Sequence, residues 1–167
     1  SHDCGGSGVK VKPNNLHRDA ETPEVTIERI GKALNEVAAF AVDYGQQIRL
    51  EVHGQCQELP IMKQIMDVAT HPNVFVCWNS NGEDLKGDGL EHNFNLVKDR
   101  FGATAHVREL NDAEYPYQEL MNLLVKMDYA GWVLLEGRTD PQDKVAALIE
   151  QKAVFDDMIA KAQQALA

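Results

Sequence analysis

The sequence predicts an α/β protein built on a parallel sheet. Four apolar runs carry that prediction: Ile48-Arg49-Leu50-Glu51, Val74 through Asn79, Ala103 through Val107 and Trp132 through Glu136. They recur roughly every thirty residues, and each carries at or near its end one residue able to bind a metal or move a proton. Stretches with helical apolar spacing follow them, and repetition of strand, loop and helix is the alternation that builds parallel sheets. Ligands of such sheets sit at the carboxyl ends of the strands, so Glu51, Asn79, His106 and Glu136 are expected on one face. Two carboxylates, an imidazole and an amide oxygen aimed at one volume suit a divalent cation.

Taken in order, Gly8-Val9-Lys10-Val11-Lys12-Pro13 alternates and stops at proline, giving a first strand whose polar end is Lys12-Pro13-Asn14-Asn15. Thr22-Pro23-Glu24 offers a helix cap, a first-turn proline and an acid near the positive end. Ile27, Ile30, Leu34, Val37, Ala38 and Ala41 then form one buried stripe, with Gly45 as the stop. After the Glu51 strand, Ile61, Met62, Ile65, Met66 and Ala69 make a second helix that ends before His71-Pro72-Asn73. Beyond Asn79 the polar, glycine-rich stretch from Ser80 to Gly89 reads either as an active-site loop or as a solvated connection. Leu90, Phe94, Val97 and Phe101 mark a third helix, closed by Gly102, and Tyr117, Leu120, Met121, Leu124 and Met127 a fourth. Val145, Leu148, Ile149, Phe155, Met158, Ile159, Ala162 and Leu166 mark a long last one. The count is five strands and five helices in strict alternation.

Composition narrows the partners. The formal net charge of -10 argues against a duplex nucleic-acid partner, which needs clustered Lys and Arg. No apolar stretch approaches the roughly 20 residues of a membrane helix, so no membrane partner is expected. Cys4, Cys56 and Cys77 are odd in number and widely spaced, which predicts free thiols in a reducing compartment, with Cys77 in the core. Ser1-His2 reads as a tag remnant and residues 1–7 as tag or linker, with no signal-peptide apolar region before the first strand. The expectation is a cytoplasmic protein whose natural amino terminus lies upstream.

The pattern of Gly8 through Asn14, Leu50-Glu51-Val52-His53-Gly54, Val76-Cys77-Trp78-Asn79, His106-Val107-Arg108-Glu109-Leu110 with Tyr115-Pro116-Tyr117, and Gly131 through Glu136 resembles a xylose isomerase-like TIM barrel. More narrowly, it is similar to the sugar phosphate isomerase/epimerase group. The resemblance runs from about Gly8 to the end. It implies a partial (β/α)8 barrel, with residues 8–167 as the carboxyl-terminal part and the first three strands missing. It also implies a divalent metal (Mn, Mg, Co or Zn) held by Glu51, His106, Glu136 and the residue at position 79, with the two glutamates shuttling a proton at a sugar carbon. The family has Asp where this chain has Asn79. The amide oxygen still ligates a hard cation but adds no charge, so metal affinity should be lower. The family's substrate-gripping His a few residues later has no counterpart among Ser80, Asn81 and Gly82.

The chemistry stands without the family. Removing a proton next to a carbonyl needs a base, and the resulting enediolate needs a cation or a hydrogen-bond donor. Glu51 and Glu136 suit the acid and base roles, or else anchor loops as surface charges. His106 is a ligand or a satisfied core histidine. His53 shares the strand face of Glu51 and contacts either substrate or a neighbouring loop. Trp78 is packing or a platform for a sugar, and Arg138 pairs with an anionic group or with Glu109. Lys12 joins His53, Trp78 and Arg138 as a candidate substrate contact at a strand end.

A closed barrel needs eight strands and about 250 residues. Five strands leave two open edges, which predicts pairing with another copy and an apolar inner face in need of cover. The structural alternative is an open five-stranded doubly wound sheet, but its glycine-rich phosphate turn is absent after Pro13. For function, a metal-dependent sugar or sugar-phosphate isomerase/epimerase, inactive as the fragment alone, stands beside a noncatalytic barrel-derived module that binds a polyol or a protein. A repair-type hydrolase or endonuclease of the same superfamily is discounted, since it needs more histidines and a basic surface.

Overall fold

β-Branched and aliphatic residues at every second position make each strand two-faced, and the two faces meet different surroundings. The structure is a computed structural model that describes residues 1–13, 15–16 and 21–166. Asn14, assigned to the polar end of the first strand, and His17 lie outside the described residues. Among the described residues, β1 (Gly8–Val11), β2 (Gln47–Glu51), β3 (Val74–Cys77), β4 (Thr104–Val107) and β5 (Trp132–Leu135) alternate with five helices. These are α1 (Pro23–Ala41), α2 (Leu59–Val68), α3 (Gly89–Val97), α4 (Tyr117–Lys126) and α5 (Lys144–Leu166). The strict alternation read from the sequence is the observed order.

All strand pairs are parallel. β1, β2 and β3 form one sheet and β4 with β5 a second. Single bridges from Val76 to Phe101 and from Asn79 to His106 link the two. The second bridge carries backbone bonds from His106 N to Trp78 O at 2.7 Å and from Ser80 N to His106 O at 3.1 Å. The arc is therefore stitched at the carboxyl ends of β3 and β4, which sets Asn79 beside His106.

The helices form one layer: α1 packs on α2, α2 on α3, α3 on α4 and α4 on α5. A doubly wound sheet places helices on both faces, so that alternative is corrected in favour of a partial, unclosed barrel. Ile48, Leu50 and Val52 of the β2 segment, with Val74, Val76 and Trp78 of the β3 segment, meet the buried stripes of α1 through α4 in one core. Gly31 permits the close approach of α1 to α2, since a Cβ there would stand 2.5 Å from Val68 Cβ. Gly45, at φ 62°, ends the turn after α1 in the left-handed region, where glycine carries no Cβ penalty.

The opposite face is mixed where an apolar interior was expected. It presents Lys10, Arg49, Glu51, Cys77, Asn79 and His106 beside Phe75 and Leu134, which pair in register with Arg49 and His106, and Arg49 is satisfied by Ser7 Oγ and Gln47 Oε1, both at 2.7 Å. Alternation is the reason: the residues between the helix-facing aliphatics of β1 and β2 are mostly charged. Cys77 is buried, as expected, but on this inner face, where its thiol lies 3.6 Å from Thr104 Oγ1 and burial raises it to about 11. Residues 1–7 form a turn tied to the body by bonds from Ser1 Oγ to Gly8 O and from Gln46 Nε2 to Gly6 O.

Two apolar stripes are less buried than their periodicity predicts. Val37 of α1 is half exposed beside the open edge of β1. In α5 only Ala162 is fully buried, and Val145, Leu148, Ile149 and Leu166 are exposed, because α5 packs on α4 and no further helix among the described residues covers its other side. No described helix is long and apolar enough to cross a membrane.

Candidate metal and active site

β2 delivers Glu51 to the inner face at its last position, and the residues around it leave it completely buried, at 0% exposure. An ionised carboxylate at such a position needs charge or hydrogen-bond partners on every side. It has them. Lys10 Nζ lies 2.7 Å from Oε2, Lys12 Nζ 3.8 Å from the same oxygen, His106 Nδ1 3.2 Å from Oε1, and Asn79 Nδ2 donates to Oε1 at 3.4 Å. Parallel register makes this possible, since Lys10 pairs with Arg49 and so lies two positions before Glu51 across the ladder.

Glu136 follows β5 directly, and its backbone N–H bonds to Val107 O at 2.8 Å, which carries the β4–β5 ladder one residue further. Its carboxylate takes a short hydrogen bond from Arg108 Nη1, which also donates to Glu136 O at 2.9 Å. Burial works to raise the Glu136 carboxyl, but the Arg108 guanidinium, helped by His106 and Lys10, outweighs it and the net direction is down. Glu136 is the more open of the two acids, with 40% of its side chain exposed.

One ligand atom each from Glu51, His106 and Glu136 lies within 4.8 Å of the others. This is the convergence expected from the sequence for three of the four strand-end residues. Asn79 stands in the same cluster through its bond to Glu51, and its Oδ1 is buried without a hydrogen-bond partner among the described residues. Oxygen and nitrogen of an amide are assigned from the surrounding network. Half a turn of the amide would set Oδ1 toward Glu51 Oε1, an arrangement of two oxygens that a bound cation favours and an empty one does not. In donor type and spacing the set fits a divalent cation; in charge it is lean, with two carboxylates facing Lys10, Lys12 and Arg108.

The four candidate substrate contacts separate. His53 is extended after β2, and its Nδ1 is buried without a hydrogen-bond partner among the described residues. Lys12 is exposed at the rim, next to Glu51. Trp78 is corrected to packing: it is 1% exposed on the helix side, its ring centroid 5.7 Å from those of Phe94 and Phe101, and its Nε1 donates to Ser80 Oγ at 3.3 Å. Alternation places it opposite Asn79, and the aromatic cluster leaves no face for a sugar. Arg138 is exposed, and it is its backbone N–H that bonds to Glu109 Oε1, at 2.8 Å, together with the N–H and hydroxyl of Thr139. These donors to Glu109, foremost the Thr139 N–H, hold its carboxyl down at about 2.

Sequence reasoning did not single out Lys10 and Arg108 as site residues. The signal was present: period two puts Lys10 on the face of Lys12, and Arg108 on the face of His106. It also missed Asp84 and Tyr115, which lock the loop after Asn79. Asn81 caps the turn at Gly82–Leu85 reciprocally with Asp84, and Tyr115 donates to Asp84 Oδ2.

The family profile described as "Xylose isomerase-like TIM barrel" matches residues 2–158. No curated protein matches the chain. Among solved structures, an L-ribulose 3-epimerase superposes with a TM-score of 0.83 at 16% identity, covering 99% of this chain and 65% of that one. The apo form of a 3-keto-D-glucoside 4-epimerase from E. coli superposes with a TM-score of 0.76 at 15% identity, covering 91% of this chain and 64% of that one. The chain thus spans a little under two thirds of the length of either structure, and at these identities the likeness is one of fold.

Proposed function

The chain belongs to the xylose isomerase-like TIM barrel family, and from that premise we propose that it is the carboxyl-terminal part of a sugar isomerase or epimerase. In this reading residues 8–167 are the barrel part and 1–7 a tag or linker. The observation that carries the proposal is the convergence of Glu51, His106 and Glu136 within 4.8 Å at the carboxyl ends of three parallel strands. Both superposed structures are sugar epimerases by name, which supports a small carbohydrate as the substrate class.

Glu51, Asn79, His106 and Glu136 are the residues that would hold a divalent cation, with Mn or Mg suited to mostly oxygen donors and one imidazole. When bound, such a cation supplies Lewis-acid polarisation of a carbonyl oxygen. The proton chemistry falls to the side chains. Glu136, kept ionised by Arg108 and partly open, is placed to take a proton from the carbon beside the carbonyl. For inversion, Glu51 would be the partner of Glu136 in the acid/base pair, serving the opposite face of the substrate. Lys12 offers a positive charge to an anionic group at the rim, and His53, with a buried Nδ1 lacking a partner among the described residues, is the candidate contact on the Glu51 strand.

Substrate incubated with the full-length protein in deuterated water should take up deuterium at the carbon that is inverted or isomerised. Glu51→Gln and Glu136→Gln should each abolish that uptake with the fold intact by circular dichroism. Exchange retained in both variants excludes the mechanism. The second reading, a noncatalytic module that binds a polyol, is favoured by the saturation of Glu51 with donors and by the missing charge at Asn79. Sugar binding without exchange across a panel of ketoses and aldoses would select it.

A further inference from the structure

We propose that Lys10 is the built-in cation of this site: its ammonium occupies one oxygen of Glu51, keeps that buried carboxylate compensated without a metal, and holds down the affinity for any divalent cation. The inference rests on reading Glu51, Asn79, His106 and Glu136 as a cation site. Glu51 Oε2 accepts from Lys10 Nζ at 2.7 Å, a charge-assisted bond of ordinary strong geometry, while the carboxylate itself has no exposure to water. Lys10 is an inner-face residue of β1 with 30% of its side chain exposed, against none for the Glu51 it meets.

Charge is what decides the consequence. Lys10, Lys12 and Arg108 bring three positive charges against the two of Glu51 and Glu136, and Asn79 adds none. A divalent cation entering among the ligand atoms of Glu51, His106 and Glu136 meets a region already positive, with an ammonium on the far oxygen of its buried ligand. At such separations in a partly desolvated site the repulsion is not screened by bulk water. Either Lys10 swings off Glu51 when the cation enters, or the cation binds weakly. Both outcomes follow from one residue that lies outside the ligand set itself.

The test compares Mn2+ binding by titration calorimetry in the wild type, Lys10→Met and Lys10→Arg, with thermal melting in the presence and absence of Mn2+. Lys10→Met should bind Mn2+ at least about tenfold more tightly than the wild type, because the repelling charge is gone. Its metal-free form should melt lower, with Glu51 left to Lys12, His106 and Asn79 alone, and Mn2+ should raise its melting temperature more than that of the wild type. Lys10→Arg keeps the charge and should stay close to the wild-type affinity. Equal or weaker binding by Lys10→Met overturns the role of Lys10 while leaving the cation site standing. Absence of Mn2+ binding in every variant overturns the cation reading and this inference with it. Should Lys10→Met fail to fold, the wild type still decides: the 15Nζ resonance of Lys10 should shift as Mg2+ is added, and an unmoved resonance at saturation refutes the proposal.

Discussion

Tyr115 donates its phenolic hydroxyl to Asp84 Oδ2 at 2.7 Å, joining the segment after β4 to the loop after β3 across a fully buried contact. Asp84 also accepts from Asn81 N at 2.9 Å and Asn81 Nδ2 at 3.1 Å, so this one carboxyl fixes the turn that follows Asn79. Burial nevertheless dominates and pushes the Asp84 carboxyl up to about 7. A raised acid holds its proton in the folded state over a range where the unfolded chain has already lost it. Its contribution to stability is therefore full below about pH 4 and declines as pH rises through about 7, after which it is constant. Urea unfolding of the wild type and Asp84→Asn from pH 4 to pH 8 should show the difference between them shrinking as pH rises. A pH-independent difference would show that Asp84 does not titrate in this window. Tyr115→Phe should cost about 1–3 kcal/mol by leaving a buried acceptor short of a donor.

Arg108 holds the Glu136 carboxyl down. With the guanidinium removed, burial remains and the carboxyl should rise. If Glu136 acts as the base in ionised form, the acid limb of the deuterium-exchange rate against pH should move to higher pH in Arg108→Met. An unmoved limb with a uniformly lower rate would assign Arg108 to positioning alone, through its bond to Glu136 O.

The fold was legible because each level of the sequence agreed with the next: alternation in strands, helical stripes between them, glycine and proline at the joints. The convergence of Glu51, His106 and Glu136 was legible for the same reason, since strand ends in a parallel arc share a face. What periodicity does not carry is the neighbour across the ladder. Lys10 reaches Glu51 through register, a long-range property that no local window contains. Trp78 illustrates the opposite case, where strict alternation from Asn79 already sends it to the helices. Burial of α5 was over-read because an apolar stripe states which face wants cover, and not whether the fold supplies it.

Asn79 is the cheapest place to strengthen the proposed cation site. Asn79→Asp adds a negative charge beside Glu51 Oε1 and should raise Mn2+ affinity by about tenfold or more, in a cluster whose charge is otherwise lean. Glu136→Gln should remove most binding of the expected single equivalent, as measured by metal analysis after dialysis. Normal occupancy in Glu136→Gln would remove that residue from the ligand set, and unchanged affinity in Asn79→Asp would remove Asn79.

Self-association is expected first through the open edge of β1 and the apolar surface beside it. β1 and β5 each have one edge unpaired among the described residues, and a row of free N–H and C=O groups is a template for another chain. Beside β1 the helix-side surface exposes Val9, Val37, Phe40 and Tyr44, with Phe40 at 68%. The inner face is charged around Glu51, and its exposed apolar surface lies toward β5, at Leu134. Light scattering on the chain should therefore report a dimer or larger, and Phe40→Lys should shift it toward monomer by charging the apolar surface next to the open edge. Since Phe40 lies on the outside of α1, the substituted chain should keep its fold by circular dichroism while losing the stability that self-association adds. A monomeric wild type would show that the exposed edges do not pair under the conditions used, and an oligomer untouched by Phe40→Lys would place the contact at β5, where Trp132 is 71% exposed.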